Sequence, residues 1–176
     1  MYGSLIHVLL RRDKFEDAVA KLTEMKNEGI LQSAHIYTSF IVYYFQKRDV
    51  VKALDVLREM KENGCEPTVV TYSALIRGYM AMGMVLEAWD VFQQMKLKGP
   101  APDFETYSMF MSCLCKAGRS EDGLHLIHDM SDCGFIPSTV NFMTVVHGLN
   151  VEGKHELAES VLRSKWHLRK QRTISY

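Results

Sequence analysis

The sequence predicts an all-α fold, a right-handed α-solenoid superhelix of five 35-residue helix-turn-helix repeats, and three observations carry that expectation. Tyr37, Tyr72 and Tyr107 recur every 35 residues, and Phe142 keeps the interval. Met25, Met60, Met95 and Met130 share it, as do Gly29, Gly64, Gly99 and Gly134, with Ala18, Ala53, Ala88, Gly123 and Ala158 in the same register. Within each interval, apolar residues fall at helical spacing. A fixed period of this length marks supersecondary units that bury their apolar faces only against neighbours.

The elements are clearest from Val69 to Asp103. Tyr72, Leu75, Ile76, Tyr79 and Met80 give a first helix, and Gly83 a tight turn. Ala88, Val91, Phe92 and Met95 give a second helix. Gly99 is expected in the left-handed conformation just past its end, with Pro102 blocking continuation. The aromatic residue opening each first helix supplies a large buried face, and the small residue inside each second helix lets two helices approach closely. In this register, residues 1–170 form a single array of units 1–33, 34–68, 69–103, 104–138 and 139–170, followed by a basic and polar tail, 171–176. Lys165 and Arg169 replace the periodic methionine and glycine of the fifth unit, so its second helix is expected to run on through Lys165–Arg172 as a polar cap. Met1 and Tyr2 occupy the third and fourth places of a unit. The chain is therefore expected to be a piece of a longer array, with any targeting segment upstream.

The chain carries 21 basic and 21 acidic residues, whereas a generic nucleic-acid binder carries a basic excess. The first three units are each neutral, 104–138 is net −3 and 139–176 net +3, so an anionic partner has to be held by local placement of charge. Cys65, Cys113, Cys115 and Cys133 have no regular spacing, which points to a reducing compartment. No apolar run approaches the roughly 18 residues of a membrane span, so no membrane partner is expected.

The run Val69-Val-Thr-Tyr-Ser-Ala-Leu-Ile-Arg-Gly-Tyr resembles the pentatricopeptide repeat. So do the following Gly83, Glu87-Ala88, Val91-Phe92, Gln94-Met95-Lys96, Gly99 and Pro102-Asp103. Thr106-Tyr107-Ser108 through Cys115-Lys-Ala-Gly-Arg119 is similar to the same consensus. The uniform 35-residue spacing looks like the family's P-type class, and it argues against the tetratricopeptide repeat, whose period is about 34 residues. The resemblance covers nearly the whole chain. It implies binding of single-stranded RNA in an organelle, about one base per repeat.

It further implies that the fifth and last residues of a unit read a base edge. These are Thr38 with Thr68, Ser73 with Asp103, and Ser108 with Ser138; Gly3 pairs with Ser33, and Met143 opens the fifth unit. Hydroxyls at the fifth place imply purines, and Asp103 implies guanine for its repeat. The second residue stacks on the base, in Val70 and Val140, whereas His35 and Glu105 fill that place elsewhere. Phosphate is met by Arg11 and Lys116, with Gln46, Ala81 and Val151 at the equivalent places.

No phosphate loop, metalloprotease helix or nucleophile motif is present, so no catalytic residue, cofactor or small-molecule substrate is expected. His125 and His128, near Asp122 and Asp129, read as exposed polar residues, because one helix converges too few ligands on a metal. Cys113 and Cys115 diverge on their helix. The periodic methionines read as core. The leading expectation is an RNA-binding adaptor for processing, stability or translation of transcripts in the mitochondrion, or alternatively the chloroplast. The rival is a structural scaffold subunit of a ribonucleoprotein, such as an organellar ribosome, with little base reading.

Overall fold

In the computed structural model, which describes residues 2–163, paired helices follow one another at the intervals of the repeat. One compact unit, Met1–Ala101, contains α1 (Tyr2–Arg11), α2 (Phe15–Asn27), α3 (Ala34–Gln46), α4 (Val50–Glu62), α5 (Val69–Ala81) and α6 (Val85–Lys98). A second, Pro102–Tyr176, contains α7 (Phe104–Lys116), α8 (Ser120–Asp132), α9 (Thr139–Val151) and a helical stretch over 155–163. The division falls at the junction of the third and fourth repeats. Among the described residues there is no strand, and no helix is long and apolar enough to cross a membrane. Lys165, Arg169 and the tail 171–176 lie outside the described residues.

In the first unit, α1, α3 and α5 pack side by side, and each packs its own second helix, α2, α4 or α6. In the second unit, α7 packs on α8 and α9, and α8 packs on α9. The periodic residues build both interiors. Met25, Met60, Met95 and Met130 are at most 1% exposed, and Ala18, Ala53 and Ala88 are fully buried. Tyr37, Tyr72, Tyr107 and Phe142 are buried as well. A Cβ on Gly123 would stand 3.0 Å from Cys115 Sγ and 3.3 Å from Val145, so the smallest side chain sits where α8 comes closest to α7 and α9.

Gly99 departs from the sequence expectation. Gly29, Gly64 and Gly134 have φ between 70° and 85°, whereas Gly99 is the C-cap of α6 with φ −103° and ψ −168°. The cause is Pro100, because a residue before proline is pushed into extended backbone. Glycine is required at 99 for space instead: a Cβ would stand 2.8 Å from Tyr72 Cε2.

Candidate nucleic-acid interface

The residues that open successive first helices tie one repeat to the next. At α5, Thr68 is the N-cap and Thr71 completes a capping box with it. Thr71 Oγ1 also lies 2.8 Å from Thr38 Oγ1 of the preceding repeat. At α9, Ser138 and Asn141 form the same box. Asn141 Oδ1 accepts from Ser138 N at 2.8 Å and from Ser138 Oγ at 2.7 Å, while Asn141 Nδ2 donates to Ser108 Oγ at 2.9 Å. Both pairs, Thr38/Thr68 and Ser108/Ser138, are therefore brought together through the third residue of the following repeat. Sequence reasoning gave that third residue no role.

The hydrogens decide what remains for a ligand. Ser138 Oγ donates to Asn141 and accepts from its backbone, so its proton is committed. Ser108 Oγ accepts from Asn141 and keeps its own hydrogen as a donor. Thr38 is only 6% exposed and bonded to Thr71, so it presents little to a base edge. Asp103 Oδ1 caps α7, accepting from Thr106 N at 2.8 Å and Thr106 Oγ1 at 2.7 Å, and Asp103 is exposed. Ser73 is half-buried on α5. Ser33 is the exposed N-cap of α3 and makes no side-chain cap bond.

Residues at the second, fifth, ninth and thirteenth places share one face of each first helix, since they recur three or four apart. On α5 these are Val70 (66% exposed), Ser73, Arg77 and Ala81. On α9 they are Val140, Met143, His147 and Val151, all exposed. On α7 they are Glu105, Ser108, Ser112 and Lys116, with both charged ends exposed. On α1 they include Gly3, His7 and the exposed Arg11, and on α3 His35, Thr38, Val42 and Gln46.

Charge is sorted by helix in the first unit. α1, α3 and α5 contain Arg11 and Arg77 and no carboxylate. Every acid between Tyr2 and Ala101 belongs to a second helix or to a connection. Arg77 was missed because charge was summed over whole repeats, which are neutral; counting charge helix by helix finds it. Also missed was the pair His7 and His35, whose ring centroids are 5.2 Å apart. Among the described residues no cluster of His, Cys, Asp and Glu suits a metal, and His125 and His128 are both exposed.

The PPR repeat family model matches residues 32–80 and 67–116, and the PPR repeat model matches 1–30 and 105–135. A stretch of 38 residues is 58% identical to a putative pentatricopeptide repeat-containing protein, mitochondrial, of Arabidopsis thaliana. It spans 22% of this chain and 4% of that protein. The crystal structure of the pentatricopeptide repeat protein PPR10 from maize matches with a TM-score of 0.78 at 24% identity, over 90% of this chain and 22% of that one. PPR10 in complex with an 18-nt psaJ RNA element matches at 0.71 and 22% identity, over 92% of this chain and 24% of that one. The PPR domain of Arabidopsis thaliana protein-only RNase P 1, in complex with tRNA, matches at 0.68 and 15% identity, over 96% and 91%. These structures share the stacked helical hairpins, and the repeat models cover all four stretches in which the aromatic, alanine, methionine and glycine positions keep their register. The chain belongs to the pentatricopeptide repeat family.

Proposed function

We propose that this chain holds single-stranded RNA along the exposed face of its first helices and acts as a non-catalytic adaptor of organelle transcripts. The observation that carries this is the acid-free row α1, α3 and α5, which sets Arg11 and Arg77 on the face that also bears Val70 and Ser73. Cations meet phosphate, an exposed valine offers a base an apolar surface, and short hydroxyls meet base edges. In the first unit Arg11 and Arg77 take the phosphate role, Val70 the stacking role, and Ser73 a base-reading role, while Asp103, at the start of the second unit, is a base-reading residue that also caps α7. In the second unit Lys116 takes phosphate, Val140 stacks, and Ser108, oriented by Asn141, reads with Ser138. Thr38 and Thr68 contribute more to the joint between repeats than to reading. The RNA named with PPR10 and with the RNase P domain supports this reading, and the mitochondrial name of the Arabidopsis relative favours that organelle over the chloroplast.

The exposed Glu105 at the stacking place of α7 favours a second reading, a ribonucleoprotein scaffold. Titration against a randomised single-stranded RNA pool at two salt concentrations separates the two. The adaptor enriches particular sequences and binds less tightly as salt rises. Arg77→Gln flattens the slope of log affinity against log salt by about 0.7, one single-strand phosphate contact. Binding no better than to a scrambled control at low salt would leave the scaffold reading.

A further inference from the structure

His7 and His35 meet across the junction of the first two repeats, on the sides of α1 and α3 that also carry Arg11. Their ring planes are tilted by 41° at a centroid separation of 5.2 Å. Gly3 faces the second ring, where even a Cβ would meet His35 Cδ2 only at an ordinary contact distance of 3.4 Å. The partners of His7 decide its tautomer. Ser39 has one hydroxyl hydrogen and donates it to the backbone carbonyl of His35 at 2.8 Å. Ser39 Oγ can then only accept from His7 Nδ1, 3.0 Å away. Nδ1 carries the hydrogen of the neutral ring, and Nε2 is the atom that gains a donor on protonation.

The surroundings supply positive charge and no acid on these two faces. α1 adds Arg11, one turn from His7, and α3 has no charged side chain apart from His35. α5, packed on α3, adds only Arg77. α2, packed on α1, carries Glu16, Asp17, Lys21, Glu24 and Lys26, with Glu24 engaged by Lys21 and by the Tyr2 hydroxyl. α4, packed on α3, carries Lys52, Asp55, Arg58, Glu59, Lys61 and Glu62, and its N-cap Asp49 is held by Lys52. Asp13, after α1, is held by Lys47 and Tyr43. Burial keeps His7 below the ordinary histidine range, and His35 and Arg11 push it the same way. Among the described residues, no carboxylate on α1 or α3 favours a proton on His7; an anion bridging the edges of the two rings would.

We propose that His7 Nε2, the His35 ring and Arg11 form a site for one phosphodiester of single-stranded RNA, which enters together with a proton taken up from solvent by the histidine pair. Donors that each reach an oxygen at about 2.8 Å can share one phosphate group across the gap between these rings. The site rests on the RNA-binding reading for its natural ligand. Because the anion raises the histidine pKa, affinity is gained as pH falls through the value of the occupied site. It levels off below the value of the empty one, with a limit of about tenfold per pH unit for one proton.

Two measurements on the chain test this. The first follows the imidazole proton resonances by NMR in sodium phosphate and in sodium chloride of equal ionic strength, from about pH 5 to 8. The resonances of the His7 and His35 pair move to higher titration midpoints in phosphate than in chloride. Equal midpoints for His7 and His35 in the two salts overturn the proposal. The second measures affinity for a uridine oligonucleotide against pH. His7→Asn keeps a donor for Ser39 and removes Nε2, and His35→Phe keeps a ring and removes its nitrogens; both variants lose the pH dependence seen in wild type. A His35→Phe variant that keeps wild-type affinity and pH dependence makes the ring a stacking surface and refutes the site. A phosphate shift at His7 without oligonucleotide binding supports the anion site and sinks the RNA reading; the reverse result sinks the site alone.

Discussion

Gly78→Ala probes how closely the first helices are stacked, because two opposing effects of known size meet there. Gly78 is buried inside α5, where alanine is favoured over glycine by about 1 kcal/mol through backbone entropy. Against this, a Cβ at 78 would lie 2.6 Å from Cδ1 and Cδ2 of Phe45 on α3, and closer still to its Cγ. Phe45 has little freedom to retreat, being 7% exposed and edge-on to Tyr79 at 5.2 Å and 72°. Overpacking of that kind costs about 1–3 kcal/mol, and three ring atoms struck together put this case at the upper end. The net expectation is a loss of about 1–2 kcal/mol. Urea denaturation followed by circular dichroism reads the loss, and hydrogen exchange places it in α3 and α5, since repeat arrays need not unfold in one step. In a Phe45→Ala background all three struck atoms are gone and the same substitution becomes stabilising by up to about 1 kcal/mol. A higher urea midpoint for Gly78→Ala in the wild-type background would refute the packing argument, as would an equal penalty in both backgrounds.

Two further outcomes concern the second unit. Asn141→Ala removes the partner of both Ser138 and Ser108 and lowers thermal stability by about 1–2 kcal/mol, the size of a lost cap and an orphaned polar group, whereas Asn141→Thr restores most of it because Thr71 serves α5 in the same place. Glu152 accepts from Ser120 N at the start of α8 and pairs with Lys154; burial alone raises its pKa, but Lys154 and Ser120 outweigh that and hold it below the ordinary carboxylate range. A depressed folded value means that this stability is present above the unfolded pKa of about 4.3 and is lost as pH falls through the folded value, so Glu152→Gln destabilises at neutral pH and flattens the acid limb of a Tm-versus-pH curve.

The period made the helices legible, because Tyr37, Ala53 and Met60 and their counterparts are the residues each repeat buries against its neighbours. It misled at Gly99, where the neighbouring Pro100 overrides the conformation that glycine takes elsewhere in the series. The joint between repeats was less legible. Thr38 and Thr71 stand 33 residues apart, and so do Ser108 and Asn141, because a fifth residue meets the third residue of the next unit, and not its own equivalent. His7 and His35 escape the period for a related reason: they fall at the ninth and second places of successive units. The charge pattern was visible in principle, but only once acids are assigned to first or second helices.

That assignment explains how a chain with equal numbers of acids and bases can offer RNA a favourable face. Packed helix axes lie about 8–10 Å apart, so carboxylates on the far side of a second helix stand well beyond 10 Å from a strand lying on the first helices. Their repulsion in water, screened over a Debye length of about 8 Å, falls below about 0.1 kcal/mol each. A cation about 4 Å from a phosphate gains about 1 kcal/mol even in bulk water. Net charge therefore counts for less than which layer holds it, and the same reasoning turns against Glu105, an exposed carboxylate on a first helix. Replacing it, Glu105→Gln, should raise RNA affinity about fivefold at low salt, the equivalent of about 1 kcal/mol, while Glu87→Gln on the second helix α6 should change it little. Equal effects of the two substitutions in a filter-binding or fluorescence titration would show that RNA responds to total charge and that the layered arrangement has no part in holding it.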